Sequence, residues 1–533
     1  MERLILRVLR RRNAQIGLAI VMVFVLIGAL GPYISAYSNP YSPSQFYAAG
    51  PDALPSWMSV FPGYSHLNPN IILPSSQVFQ TFKTPEALGY WKVGVDPSSR
   101  VSLSVGYARG VGPADVAAEA TGAYLLTNTG NGSEVLSVSG NSTNPVYVYL
   151  THTFYYGYSP PPLFYSQVAV KPVLPPGVGF AVMLLVNTSK GVYYTSLAAN
   201  AAGETALESL PSAGSSYAAY FASTFSQPLV NDSWNLVSGV TNSANDMPLA
   251  FFNRSVPITT VPQTIFSQKG YYSVGELLVF FPNGDFHASL YQSDFKFQIF
   301  GRVYGVLGTD ADGGDVWSEF VSGTRTALAI GFGSAAIALG VGVILGLIAG
   351  FFAGLVDSVL VFAFDFLLLL PGLILLIDLD TVFTVAHVVT SKALLIILLL
   401  GFLGWAVPGR TVRSQVLSLR RRTYVEAAKT MGGGNFYILR NHVLKHTTGT
   451  IVALITYLVP GLVVADTGLD FLGLGIDRYP TWGNILAKLI NEVTPSNGYL
   501  WWITMPIGLS IILISIAFYL IGTAIQEEYS RLG

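Results

Sequence analysis

Thr326–Val356, TALAIGFGSAAIALGVGVILGLIAGFFAGLV, is 31 residues long and carries no charge. A helix needs about 20 apolar residues to cross the hydrocarbon core of a bilayer, so this run predicts a transmembrane span. Toward the C-terminus, Ser358–Ile377 is apolar except for Asp365, Ala393–Gly409 is short and apolar, and Gly449–Ala465 and Trp501–Ile525 follow. Toward the N-terminus, Ala14–Ile34 adds 21 uncharged residues behind Met1–Asn13, which holds Arg3, Arg7, Arg10, Arg11 and Arg12. A cleaved signal peptide also starts basic, but its apolar core is about 7–15 residues; the longer run reads as a retained anchor. Six spans result. Composition agrees: 51% of the 533 residues are apolar and 11% charged, with mean hydropathy +0.51, against about 25% charged in soluble chains.

Charge orients the spans. Lys and Arg near span ends favour the cytoplasmic side. Arg410, Arg413, Arg420, Arg421, Arg422, Lys429, Arg440 and Lys445 crowd the loop from Arg410 to His446, where Glu426 is the sole acid. Six spans put this loop, the N-terminus and the C-terminus on one side, which predicts both termini in the cytoplasm.

Ser35–Leu307 is a different material, rich in Ser, Thr, Asn, Gly, Pro and Tyr. Val146–Phe154 and Tyr271–Phe281 read as strands, and Phe295, Phe297 and Ile299 alternate with Lys296 and Gln298 as a half-buried strand does. Asn283-Gly284 lies between two such runs and predicts a hairpin turn. All five N-x-S/T sequons fall here, starting at Asn131, Asn141, Asn187, Asn231 and Asn253. They are candidate N-glycosylation sites and fit an outward-facing domain on a glycosylated, archaeal type of surface.

Absences narrow the chemistry. With no cysteine there is no disulfide, thiolate metal site or cysteine nucleophile. The six histidines are scattered without HExxH spacing, and neither paired carboxylates nor a Ser/His arrangement marks a catalytic site. GxxxxGK[ST] occurs nowhere; Gly432–Gly434 lack the lysine and the strand–loop–helix frame that cradle phosphate. Any ATP must be handled by another chain.

Tyr424-Val425-Glu426-Ala427-Ala428-Lys429-Thr430-Met431-Gly432 reads as a short helix ending at glycine. Ala427 and Ala428 are expected to leave a low surface open to another protein, with Glu426 offering one carboxylate. Here the chain resembles the membrane subunits of ABC importers, whose Glu-Ala-Ala, three residues, Gly pattern forms the coupling helix. Glu426, Ala427, Ala428 and Gly432 match it. The family's following Leu-Pro is represented by His442-Val443-Leu444-Lys445, with lysine for proline, so the helix is expected to run on.

The resemblance narrows to the dipeptide/oligopeptide permeases (DppC/OppC-like). Arg12-Asn13-Ala14-Gln15-Ile16-Gly17-Leu18 is similar to their first-span start. Gly308-Thr309-Asp310-Ala311-Asp312-Gly313-Gly314-Asp315 is similar to their GTDxxGRD segment, with Gly314 for arginine. Gly323-Thr324-Arg325-Thr326, Phe471-Leu472-Gly473-Leu474-Gly475 and Trp482-Gly483 match later motifs, with Asp470 where serine is usual. Roughly residues 90–300, about two fifths of the chain, have no recognised counterpart.

The resemblance implies an α-helical membrane protein of the type I ABC importer kind, with six transmembrane helices and an inserted β-rich extracellular domain. Its parts would be a cytoplasmic basic stretch 1–13, a first helix 14–34, the insertion 35–307, and a permease domain 308–533 with the coupling helix in 410–446. It implies a non-catalytic permease for di- or oligopeptides, with oligosaccharides as the alternative. The implied partners are a second permease (DppB/OppB-like), two ATPases carrying ATP and Mg, an extracellular substrate-binding protein and membrane lipid; no nucleic acid is implied. Asp365 is expected to be structural, Asp378, Asp380 and Lys392 solvated around an outer turn, and Asp466 and Asp470 to meet substrate or binding protein. The rival class is a membrane-anchored surface glycoprotein, which needs no alanine-rich helix inside a basic loop.

Overall fold

The computed structural model describes residues 7–37, 40, 48–113, 132–208, 227–240, 261–352, 354–385, 391–476, 479–492 and 500–530. They form two compact units, Met1–Tyr41 with Val316–Gly533, and Ser42–Asp315.

The first unit is helical: α1 (Arg12–Ile34), α2 (Val316–Phe352), α3 (Gly354–Leu369), α4 (Gly372–Val385), α5 (Lys392–Gly404), α6 (Ala406–Leu419), α7 (Thr423–Thr430), α8 (Leu444–Phe471), α9 (Trp482–Glu492) and α10 (Trp501–Ser530). Among the described residues, five stretches are long and apolar enough to cross a membrane: α1, α2, α5 with α6, Asn435–Phe471 and Trp501–Glu528. The expected straight span Ser358–Ile377 is instead broken. α3 and α4 bend by 93° about Leu370 and Pro371, and the count becomes six only if this pair makes one span. The cause is local: a residue before proline is driven out of the helical region, while proline itself suits the start of a new helix. The Lys445 region behaves as expected. A π-helical stretch, Leu439–Val443, joins the turn Asn435–Ile438 to α8 without interruption.

Glycines bring α2 and α6 together. Gly342, Gly346 and Gly350 recur every fourth residue along one stripe of α2. A Cβ on them would lie 2.6 Å from the Trp405 carbonyl oxygen, 2.5 Å from that of Gly409 and 2.7 Å from Val416 Cβ. Small residues at this spacing let two helix backbones touch, which is how helices associate where lipid supplies no hydrophobic drive.

The bundle has distinct ends. At one, Arg11 Nε donates to Glu528 Oε1 at 2.6 Å, and Val8 and Ala14 pack with Ala524, Ile525 and Val452. The start of α1, the end of α10 and the start of α8 therefore meet, so the basic N-terminal stretch and the basic loop gather there with the end of α10. At the far end of α1, Trp317 Nε1 donates to the Ile34 carbonyl at 2.9 Å and Tyr37 N to Ser318 Oγ at 3.2 Å. The chain leaves this unit and returns to it at neighbouring points.

The second unit is a β-sandwich of β1 (Ile71–Leu73), β2 (Lys92–Asp96), β3 (Val101–Arg109), β4 (Gly132–Ser142), β5 (Val146–Tyr156), β6 (Phe164–Val173), β7 (Gly179–Thr188), β8 (Gly191–Ala199), β9 (Gln227–Pro228), β10 (Asn235–Val240), β11 (Gly270–Phe281) and β12 (Gly284–Ile299). One sheet runs β10-β6-β12-β4-β3, with β1 also on β12; the other runs β2-β5-β11-β7-β8-β9. Leu136, Val168 and Leu290 of the first share one core with Leu150, Leu184 and Leu278 of the second. Asn283-Gly284 does not make the expected hairpin. The chain turns there, with Gly284 at φ +112, but β11 and β12 lie in opposite sheets. The turn marks a reversal without specifying that the strands pair.

The division between units falls after Asp315, not after Leu307. Thr309 Oγ1 accepts from Ala53 N at 2.8 Å and donates to the Gly50 carbonyl at 2.5 Å, and the Asp310 carbonyl accepts from Asp52 N at 2.9 Å. These bonds hold 308–315 inside the β unit.

Candidate functional site

The coupling-type helix α7 ends in a Schellman motif. Gly433 N donates to the Ala428 carbonyl and Gly432 N to that of Lys429, each at 3.0 Å, the pairing that closes a helix through a left-handed residue. That residue is Gly432, at φ +84. Gly433 is constrained differently: a Cβ there would sit 2.8 Å from the Ala428 carbonyl oxygen.

The faces of α7 differ. Val425 and Ala428 are buried with Leu347 and Phe351 of α2, Val412 and Val416 of α6, and Val443 and Leu454 beyond. Glu426 and Ala427 are exposed, and the Glu426 carboxylate makes no hydrogen bond or ion pair among the described residues. The expectation that Ala427 and Ala428 share an open surface is thus half corrected. One hundred degrees of helix rotation separates neighbours, so Ala428 turns into the core. Three exposed apolar side chains extend the surface: Met431 (81% accessible), Phe436 (75%) and Tyr437 (56%). Sequence reasoning missed them, although large apolar residues inside a basic loop were a readable signal.

The rest of the loop braces this surface. The Tyr424 ring lies 5.0 Å from His446 and 6.3 Å from His442. Lys429 Nζ stands 5.5 Å from the Phe351 ring centre, a cation–π distance. Arg420 Nη1 donates to the Phe351 carbonyl at 3.2 Å. About two turns back along α6, Arg413 grips Asp357 with two nitrogens, Nη2 to Oδ2 at 2.7 Å, and Arg410 pairs with Asp365 at 2.8 Å. Asp365 has a positional partner on α6, in line with its structural reading.

The remaining acids sit apart from this surface. Asp466 and Asp470 are buried, 1% and 2% accessible. The Asp470 side chain is hemmed in by Gly475 and Gly483, where any Cβ would clash with it. Neither is open to the surface contact expected with substrate or binding protein, and for Asp470 it is the loop after α8 and the start of α9 that close over it. Asp378 is exposed, but Asp380 is buried and takes Lys392 Nζ at 2.6 Å; that pair is a tie between α4 and α5, not a solvated turn. Asn141, Asn187 and Asn231 are exposed, whereas Asn131 and Asn253 lie outside the described residues.

Two grooves carry polar side chains in an otherwise apolar bundle. One, of about 650 Å³, is lined by Arg410, Thr411, Ser414 and Gln415 of α6 and Thr450 of α8. The other, of about 550 Å³, lies between α8 and α10, with Thr456, Tyr457, Ser515, Tyr519 and Gln526. Polar side chains at membrane depth face a bundle interior or a water-filled route rather than lipid.

Residues 342–531 match the family described as the binding-protein-dependent transport system inner membrane component. The dipeptide transport system permease protein DppC of Bacillus subtilis is 34% identical over 225 residues, 42% of this chain and 67% of that relative. The glutathione transport system permease protein GsiD of Pectobacterium atrosepticum is 29% identical over 226 residues, 42% of this chain and 70% of that one. The oligopeptide transport system permease protein OppC of Mycobacterium tuberculosis is 29% identical over 221 residues, covering 42% and 74%. The match takes in α7, its Schellman glycine and the α2–α6 glycine stripe, and with it the chain belongs to the ABC importer permeases of the dipeptide/oligopeptide type, here enlarged by a β-sandwich.

Proposed function

We propose that this permease imports di- or oligopeptides, sharing its translocation route with a second, DppB/OppB-like permease. Two ABC ATPases would bind ATP and Mg, and a binding protein outside would deliver the peptide. The chain itself is read as non-catalytic. Its termini and the 410–446 loop would be cytoplasmic and its β unit extracellular. The observation that carries the reading is the exposed edge of α7, Glu426 and Ala427 with Met431 and Phe436, on a helix whose opposite face is locked into α2, α6 and α8. A movement of α7 imposed from outside would reach the spans through that shared core and through the Arg413–Asp357 brace.

The named relatives move dipeptides, oligopeptides and glutathione, all peptides, which favours peptide over oligosaccharide. Two measurements test the reading. ATPase subunits should co-purify with the chain in mild detergent, and Gly432→Glu should leave ATP hydrolysis running while peptide uptake is lost, because bulk and charge at the cap lift α7 from its partner. Normal uptake by that variant sinks the coupling assignment. Mass spectrometry of the ligand held by the binding protein tests the substrate; an oligosaccharide there overturns the peptide part alone.

A further inference from the structure

The three described sequons are all exposed, but their amides are not equivalent. Asn231 is clamped, Oδ1 accepting from Leu174 N at 2.9 Å and Nδ2 donating to the Leu174 carbonyl at 3.1 Å. Asn141 Nδ2 donates to Asp285 Oδ1 at 2.6 Å, a charge-assisted bond. The Asn187 amide makes no hydrogen bond among the described residues. Asn187 is the last residue but one of β7, beside the two-residue turn into β8.

The surface beside Asn187 has a distinct chemistry. Asn187 pairs in register with Ser273 of β11. Side chains alternate along a strand, so Tyr271 projects from the same face as a diagonal neighbour, roughly 7–8 Å away. Tyr271 stands opposite Tyr155 of β5, their ring centres 5.4 Å apart and the side chains 72% and 58% accessible. The Thr153 and Ser273 hydroxyls meet at 2.6 Å on the same face. Two open aromatic rings next to hydroxyls suit a sugar, whose C–H side packs on rings while its edge hydrogen-bonds.

We propose that Asn187 carries an N-linked glycan whose first sugars lie over Tyr271 and Tyr155. Nδ2 attacks the anomeric carbon of a polyprenyl-phosphate-linked oligosaccharide. The C–N bond forms as the bond from carbon to phosphate oxygen breaks, the phosphate leaves with the electron pair, and one amide proton passes to base. The inference rests on the outward placement of the β unit.

The test takes full-length protein from the cells that naturally make it. Glycopeptide mass spectrometry should find sugar on Asn187 at the highest occupancy of the three sequons and none on Asn231. In parallel, a membrane-impermeant amine label on whole cells should reach the exposed Lys190. A bare Asn187 in a unit that the label reaches overturns the glycan alone, whereas an unlabelled unit overturns the outward placement with it. Enzymatic removal of the glycan should lower the thermal midpoint of the native sequence but not of the Tyr155→Ala, Tyr271→Ala double variant. Equal shifts in both overturn the seating on tyrosine.

Discussion

Gly432 occupies a left-handed position that the end of α7 requires, and a Cβ there would meet nothing within 4 Å. The constraint from this chain is conformational, not spatial. Gly432→Ala should cost about 1–2 kcal/mol and Gly432→Asn less, since asparagine tolerates this region. Hydrogen exchange at the Gly432 and Gly433 amides should accelerate in that order; equal exchange in both variants would contradict it. The glycine was readable in the sequence. The inward turn of Ala428 was not, because the phase of an eight-residue helix is set by what it packs on. Nor did periodicity disclose that Glu134 and Glu276 are buried in the sandwich core. Gln292 donates to Glu134, while the Glu276 carboxyl oxygens have no hydrogen-bond partner among the described residues. Burial pushes the Glu134 carboxyl up to about 7, against the opposing bond from Gln292; burial, and then the charge of Glu134, hold Glu276 well above the glutamate range. Both folded values exceed the unfolded one, so each stabilising contribution is complete below about pH 4.5 and declines as pH rises above it; for Glu134 it is lost as pH rises through about 7. Glu134 alone accounts for about 3 kcal/mol across that window. Lys296, lowered to about 8 by burial, acts with the opposite sign and only above that pH. Melting of the β unit in the full chain should therefore fall between pH 5 and 7.5, and Glu134→Gln should flatten the slope; an unchanged slope counts against the assignment.

Elements show where composition is a good guide and where it fails. Hydropathy located the long apolar helices of the described residues, because burying 20 apolar residues in lipid leaves few alternatives. It could not see that α3 and α4 bend by 93°, since the average over a window is blind to Pro371. Asn283-Gly284 likewise marked a reversal but not which sheet receives the next strand. In the sequence the α2 run was taken only as an uncharged span and its repeated glycines were passed over; the structure gives their partner. Gly346→Val should separate α2 from α6, since even a Cβ would come 2.5 Å from a backbone oxygen, and overpacking of this kind costs about 1–3 kcal/mol. Gly340, on the same helix, has open space where a Cβ would go. Gly340→Val is the control and should leave thermal stability in detergent nearly unchanged. Comparable losses at both positions would point to helix propensity rather than the α2–α6 contact.

At the scale of the whole molecule, two materials share one chain, and the sequence separated them by composition alone. The boundary was misplaced by eight residues because Gly308–Asp315 looks like the start of the permease motif yet is hydrogen-bonded to residues 50–53 of the β unit through Thr309 and Asp310. The true boundary has a consequence. Each unit keeps its own core, and the helical unit holds its two attachment points together without help: Trp317 binds the Ile34 carbonyl and Ser318 receives the Tyr37 amide. Replacing Ser42–Asp315 by a short Gly/Ser linker therefore joins segments that already meet at Tyr37 and Ser318, at the end of α1 opposite the basic segments. The shortened chain should insert in the membrane, keep the Arg11–Glu528 tie and retain co-purifying ATPase, because the α7 surface lies in the retained part. A cut after Leu307 instead would leave 308–315 without residues 50–53 that bind it, and that version should be less thermostable in detergent. If both versions lose the ATPase equally while remaining inserted, the β unit is needed for assembly and the independence of the two cores does not extend to function. If only the later boundary works, the hydrogen bonds of Thr309 and Asp310 mark the place where the permease begins.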